Sequence, residues 1–504
     1  MNAVVRGTVL VLAGRWADRV LGFVSTLVLA RLLTPADFGL VAMAWMVVGI
    51  LDVFVDIGVN VQMIQKRGAE PDLYHTGFTL RLLQSSVLAF GMVVAAPFAA
   101  EYLKEPRLEG LLIILAPCLP LGALTSMGVV IRQKEMSFGP EVILQLVKKV
   151  AAIMATVVAA ILLESYWALV IGNYVSTVAG VVLSYLLHPY RPKLTLSHVR
   201  GMWRHSTALF IQSILGMAAV QIDRITMSRL HSASSLGAYQ LAGEIAALPT
   251  TELLAPFNKI FLPAFAEAQN DPAQLSRMFV RAMSVSLCMA LPASVGLMVL
   301  APSIVQVLLG PKWSEAIPLM QALAWAGIAG GLMSTCKALN YAQARFYTVA
   351  GVSALQVASF VAILGGGVLV AGATSPTLIA ASKAASVALC TIVGYGLAIQ
   401  GLPSGTSRRL LVDTWRLALA SAVMGGVVGA LNANAPDSAI VALLGLVVVG
   451  VVVYGGVLYA AWMLCGRPDG PERFILDRLV LPLAHRAAGA LGRAKVAASR
   501  QGDR

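Results

Sequence analysis

The chain is 504 residues long, 58% hydrophobic and only 12% charged, with a mean hydropathy of +0.80. A soluble protein carries about 25% charged residues, so this composition excludes a water-soluble fold and calls for lipid as the solvent. The net charge of +13 sits mostly in short loops between apolar runs, a pattern of membrane topology rather than of nucleic-acid binding.

A bilayer-spanning helix needs about 20 mainly apolar residues. In chain order the runs that qualify are 8–31, 38–64, 74–98, 108–131, 141–163, 166–188, 206–230, 236–260, 278–302, 314–337, 346–371, 376–400, 411–432 and 438–464. They lack the alternation of barrel strands, so the expected fold is all-α, a polytopic membrane protein of about 14 transmembrane helices. The first run is too long, and too interrupted by Arg15, Asp18 and Arg19, for a cleavable signal peptide. The polar stretch 189–205 reads as a cytoplasmic linker between an N-terminal six-helix lobe (1–188) and a C-terminal one (206–400). Two additional transmembrane helices follow over 401–464, then a basic tail over 465–504. The tail reads either as an amphipathic helix on the anionic inner leaflet or as a solvated segment.

Loop charges set the orientation. With the N-terminus inside, 23 Lys and Arg fall on the inner side and 5 on the outer side; basic residues favour the cytoplasmic face. Both termini are then cytoplasmic. The phrase over 30–44, with Arg31, Leu32, Thr34, Gly39 and Ala44, returns over 228–242 as Arg229, Leu230, Ser232, Gly237 and Ala242. Each copy falls at the outer turn between the first two helices of a lobe. With an even number of helices per lobe, the lobes are parallel repeats, as in two-lobed transporters.

Ionisable groups inside spans are expensive and normally face a cavity or a partner. Arg15 and Arg19 are four residues apart and share a face. Arg81, Lys148, Arg224 and Lys383 are further cations within spans. Lys148 and Lys149 point about 100° apart, so only one of them can face a given lumen. We read Arg15, Arg19, Arg81, Lys148, Arg224 and Lys383 as the candidate lining of a cationic, water-filled cavity. Guanidinium groups offer paired donors to phosphate and lysine a point charge, which suits a diphosphate or acidic sugars. Asp52, Asp56, Asp223 and Glu244 are candidate ion-coupling groups. The other reading of the charges is internal ion pairing, Arg15 with Asp18 and Arg19 or Arg81 with Asp52 or Asp56; Glu244 and Glu252 equally suit helix packing.

No nucleotide-binding Gly-Lys-Ser/Thr loop, paired-His metal spacing or nucleophile elbow is present in the sequence. The five cysteines are single and read as small hydrophobes. Outer loops are short, leaving no room for the large catalytic loop of membrane glycosyltransferases and polymerases, so no enzyme is expected.

Residues 29–44, Leu-Ala-Arg-Leu-Leu-Thr-Pro-Ala-Asp-Phe-Gly-Leu-Val-Ala-Met-Ala, resemble the polysaccharide transporter family of Wzx-type bacterial flippases. So do Gln-Ile-Asp-Arg (221–224) and Leu-Gly-Ala-Tyr (236–239). That family lies in the superfamily that also holds the multidrug and toxin extrusion transporters. The resemblance implies alternating-access translocation, across the inner membrane, of an oligosaccharide on undecaprenyl diphosphate. A proton or sodium gradient would drive it, and a polysaccharide polymerase and export machinery would be partners. The alternative it leaves open is a sister transporter, either a lipid II flippase or a cation-coupled multidrug antiporter.

Overall fold

The computed structural model describes residues 3–55, 71–128, 131–132, 139–197, 207–248, 254–433 and 440–467. Asp56, Glu252 and the tail beyond 467 lie outside the described residues. The described chain is all-α. The elements are α1 (Ala3–Leu32), α2 (Pro35–Val55), α3 (Pro71–Leu103), α4 (Arg107–Leu115), α5 (Cys118–Ala123), α6 (Gly139–Leu163), α7 (Trp167–Leu187), α8 (Thr207–Leu230) and α9 (Ala233–Leu248). They continue as α10 (Ala255–Glu267), α11 (Pro272–Ile304), α12 (Ala316–Ala342), α13 (Phe346–Ala371), α14 (Pro376–Ala398), α15 (Thr406–Asn432) and α16 (Ile440–Leu464).

Ten of the described helices are long and apolar enough to cross a bilayer: α2, α3, α6, α7 and α11 to α16. The remaining expected spans correspond to α1, α4 with α5, α8 and α9. One of these differs from the expectation. The run 108–131 is one continuous span in the sequence, but its helix breaks at Ala116–Pro117 into α4 and α5. Proline removes a backbone donor and clashes with the preceding turn, and Pro117 and Pro120 fall three residues apart. Over the run 236–260, α9 is described to Leu248 and α10 starts with Pro256 in its first turn; residues 249–253 lie outside the described residues. Proline is favoured there because that N–H has no intrahelical partner.

Two compact units form. The first comprises Met1–Ala242, Leu308–Leu319 and Ser353–Lys383; the second comprises Gly243–Val307, Met320–Val352 and Ala384–Arg504. In the first unit α6 and α7 form a hairpin and α1 packs along α6, with Gly22 of α1 against the Lys149 side chain. The repeated phrase explains why α8 and the first part of α9, to Ala242, join this unit. Thr34 caps α2 by accepting from the Asp37 amide at 3.3 Å, while Asp37 Oδ2 accepts from the Thr34 amide at 3.0 Å, a reciprocal capping box. Ser232 caps α9 in the same way, accepting from the Ser235 amide at 3.2 Å. Five residues after each cap stands a glycine, and there the helices cross. A Cβ on Gly39 would collide with the Ala233 carbonyl, and one on Gly237 with the Pro35 carbonyl.

The obstacle at that crossing is backbone on a neighbouring helix, so relief requires α2 and α9 to separate. Gly39→Ala is therefore expected to cost about 1–3 kcal/mol. Gly91→Ala, at a glycine with open surroundings, is the control and should leave stability unchanged. Thermal unfolding of the purified protein in detergent measures both.

The end of α1 is closed by the segment that follows α11. Lys312 Nζ donates to the carbonyls of Arg31 (2.8 Å) and Leu33 (2.6 Å). The fully buried Trp313 donates through Nε1 to the Ala30 carbonyl at 2.8 Å and meets Phe38 edge-on. These donors satisfy carbonyls that the last turn of a helix leaves unpaired. Arg31 donates in return to the Leu308 carbonyl at 3.2 Å, and Arg229 lies over the Tyr102 ring. Both arginines of the repeat are thus engaged locally at helix ends.

In the second unit α11, α15 and α16 pack together. Phe265, Phe279 and Leu339 are buried in its core. Tyr454 of α16 donates to the Cys288 carbonyl of α11 at 2.9 Å.

Candidate functional site: a cationic cavity in the first unit

Five helices of the first unit enclose a cavity of about 490 Å3. Asp52 comes from α2, Arg81 with Gln84 and Ser85 from α3, Lys148 from α6, and Asn173 with Thr177 from α7. The broken α4–α5 segment supplies the remaining wall, through Cys118, Leu119 and Gly122. A short helix there lets the backbone end inside the bundle, which is tolerated in a membrane where protein or a water-filled cavity satisfies the freed groups.

The sequence grouped Arg81 and Lys148 with Arg15, Arg19, Arg224 and Lys383 around one cavity and set Asp52 among the ion-coupling candidates; the fold brings Asp52, Arg81 and Lys148 onto one surface. It also sorts the lysine pair. Lys148 lines the cavity and lies along α7, where a Cβ on Gly180 would come within 2.9 Å of its Cδ. Lys149 turns the other way, toward Gly22 of α1, where a Cβ would lie 3.1 Å from its Nζ. Arg15 and Arg19 are half-buried on α1 and are not among the residues lining this cavity.

A second group of candidates also meets, with a different outcome. Lys383 of α14 and Asp223 of α8 form an ion pair, Nζ to Oδ1, at 2.5 Å, with side chains 14% and 6% exposed. The Tyr239 hydroxyl donates to Asp223 Oδ2 at 2.5 Å, and Lys383 also donates to the Ala219 carbonyl at 2.8 Å. Lys383 is therefore neutralised within the protein rather than presented to a ligand. Arg224, next to Asp223 but on another face of α8, donates to Gln221 Oε1 at 3.3 Å. Glu244 is exposed on α9. The partner of Asp223 lies 160 residues away, which no local pattern could disclose. The only signal in the sequence was the cost of leaving either charge alone inside a membrane.

An open, polar cavity whose described lining is net cationic can hold an anionic headgroup by charge-assisted hydrogen bonds. The comparisons with known proteins fit this arrangement. Residues 28–318 match the family described as polysaccharide biosynthesis protein. The succinoglycan biosynthesis transport protein ExoT of Rhizobium meliloti (strain 1021) is 26% identical over 318 residues, 63% of this chain and 64% of ExoT, so the match spans just under two thirds of that relative. The lipopolysaccharide biosynthesis protein WzxC of Escherichia coli (strain K12) is 25% identical over 403 residues, 78% of this chain and 80% of WzxC. Among solved structures, the lipid II flippase MurJ in an inward closed conformation superposes with a TM-score of 0.71 at 14% identity, over 90% of this chain and 99% of MurJ. An inward-facing multidrug resistance MATE transporter of the MOP superfamily gives 0.60 at 12% identity, over 78% of this chain and 95% of that one. At such identities the structures speak for the fold alone, an all-α fold shared with MurJ and the MATE transporter. With more than half its length matched by the family profile, this multi-pass membrane protein belongs to the polysaccharide biosynthesis protein family.

Proposed function

We propose that the protein is a Wzx-type flippase. It moves an oligosaccharide linked to undecaprenyl diphosphate across the bacterial inner membrane by alternating access, and acts as a transporter rather than an enzyme. The observation that carries this reading is the convergence of Arg81 and Lys148 on one cavity among membrane helices, in a chain of the polysaccharide biosynthesis family. Among the described lining residues, two cations stand against Asp52, a net positive set that suits a diphosphate. The names of ExoT and WzxC, one a transport and one a lipopolysaccharide biosynthesis protein, support the same substrate class. The MurJ-like fold supports a lipid carrier over a free sugar. A drug-cation antiporter would favour an acidic cavity. Both termini lie in the cytoplasm, and a polysaccharide polymerase and export machinery take the product on the far side.

In this reading Asp52 and Asp223 couple transport to a proton or sodium gradient. Asp52 stands on the cavity wall, and Asp223 is held by Lys383 and Tyr239. A strain lacking the protein should accumulate diphosphate-linked repeat units on the cytoplasmic side of the inner membrane, detected by their protection from an added periplasmic-side glycosidase. Accumulation on the outer side instead would mean that the protein acts after flipping.

A further inference from the structure

The second unit has its own cavity, about 870 Å3, at the beginnings of α11 and α15. Arg277 and Arg281 project into it from α11, and Arg408 and Arg409 from α15, with Asp413 as the one carboxylate among the described lining residues. Arg277 and Arg281 are four residues apart and share a face of α11. Arg408 and Arg409 stand in the first turn of α15, where the helix dipole is already positive. Cations there repel one another and the dipole, and a bound anion relieves both. Gly405, with φ +103°, precedes that turn and brings no side-chain cap to its N–H groups. Independently, Ser284 of α11 lines the same cavity, is 1% exposed, and its hydroxyl oxygen has no hydrogen-bond partner. A buried hydroxyl left unpaired costs free energy that a ligand oxygen would recover.

We infer that this cavity seats the phosphate-bearing headgroup of a membrane lipid. Guanidinium groups and a hydroxyl are the donors a phosphate takes, and basic pockets between transmembrane helices on the cytoplasmic side are used for such headgroups. A lipid is favoured over a free anion because the outward apolar stripe of α15, Leu411, Trp415 and Leu419, begins beside the arginines and is about half exposed or more. Headgroup and chain would lie along one helix. The site is separate from the cavity of the first unit; only its assignment to the inner leaflet rests on the orientation proposed above.

Native mass spectrometry of the full chain, released from detergent, tests this with cardiolipin, undecaprenyl diphosphate, phosphatidylcholine and inorganic pyrophosphate as separate probes. Binding of the phosphate lipids should exceed that of phosphatidylcholine. It should fall roughly tenfold or more in R277Q/R281Q and again in R408Q/R409Q, with Ser284→Ala giving a smaller loss in a protein that still elutes as a single folded species. Preference for undecaprenyl diphosphate identifies a loading station for the carrier; preference for cardiolipin identifies a resident lipid. Equal lipid binding by the variants overturns the site, and pyrophosphate binding as tightly as the lipids overturns its lipid occupant. Because headgroup binding is read directly, a failure of the flippase reading would leave this result untouched, and the reverse holds too.

Discussion

Lys383→Ala should reduce polymer export at least tenfold and destabilise the folded protein, while Lys383→Met combined with Asp223→Asn should recover much of the stability. The pair is buried and short, at 2.5 Å. Removing one partner leaves an uncompensated charge in a low-dielectric interior, at a cost of about 3–5 kcal/mol, whereas replacing both by groups of similar volume is often nearly neutral. Asp223 would be the more demanding survivor. Without Lys383 it keeps the Tyr239 hydroxyl, but it loses its countercharge. Thermal unfolding of the single and double variants reads the coupling, and export in a deletion strain reads function. Equal destabilisation by the single and double changes would show that the pair carries no such energy. Recovered stability with export still lost would mark Asp223 and Lys383 as groups whose charge is used during transport.

How much of this was legible beforehand follows from the range of each interaction. Span positions are written locally, in runs of apolar residues, and α6, α7, α13 and α14 fall within a few residues of the runs at 141–163, 166–188, 346–371 and 376–400. The repeated phrase was legible as an echo, yet its meaning was not. Only in three dimensions does it become a cap followed, five residues on, by a glycine at which α2 and α9 cross. Pro117 and Pro120 were visible, but one proline bends a membrane helix and another ends it, and the choice depends on neighbours that satisfy the freed carbonyls. The candidate site was legible as a set of costly charges and illegible as a set of partners. Arg81 and Lys148 meet across 67 positions of chain, and Lys383 finds Asp223 across 160. Trp313 and Lys312, which close the end of α1, gave no sequence signal beyond an ordinary loop, because their role is to donate to carbonyls nearly 300 residues away.

The lysine pair offers the sharpest test of the cavity, because its two members are the same residue type on adjacent positions. Lys148→Gln and Arg81→Gln should each lower export roughly tenfold to a hundredfold, since a charged hydrogen bond to an anion contributes about 1.5–3 kcal/mol. Lys149→Gln should export close to normally, because that side chain packs on Gly22 of α1 and does not line the cavity. Gln removes the charge but keeps a polar, hydrogen-bonding end, so protein abundance in the membrane should be equal across the three, and surface polymer in a deletion strain gives the readout. Lys148→Arg, which retains the charge but must fit beside Gly180, should fall between Lys148→Gln and the unaltered chain. The opposite ranking, with Lys149 indispensable and Lys148 dispensable, would move the anion site from the α2–α3–α6–α7 cavity to the α1 side of α6. Arg15 and Arg19, which lie on α1 outside this cavity, would then become its other cations. The two adjacent lysines therefore decide which face of one helix the substrate sees.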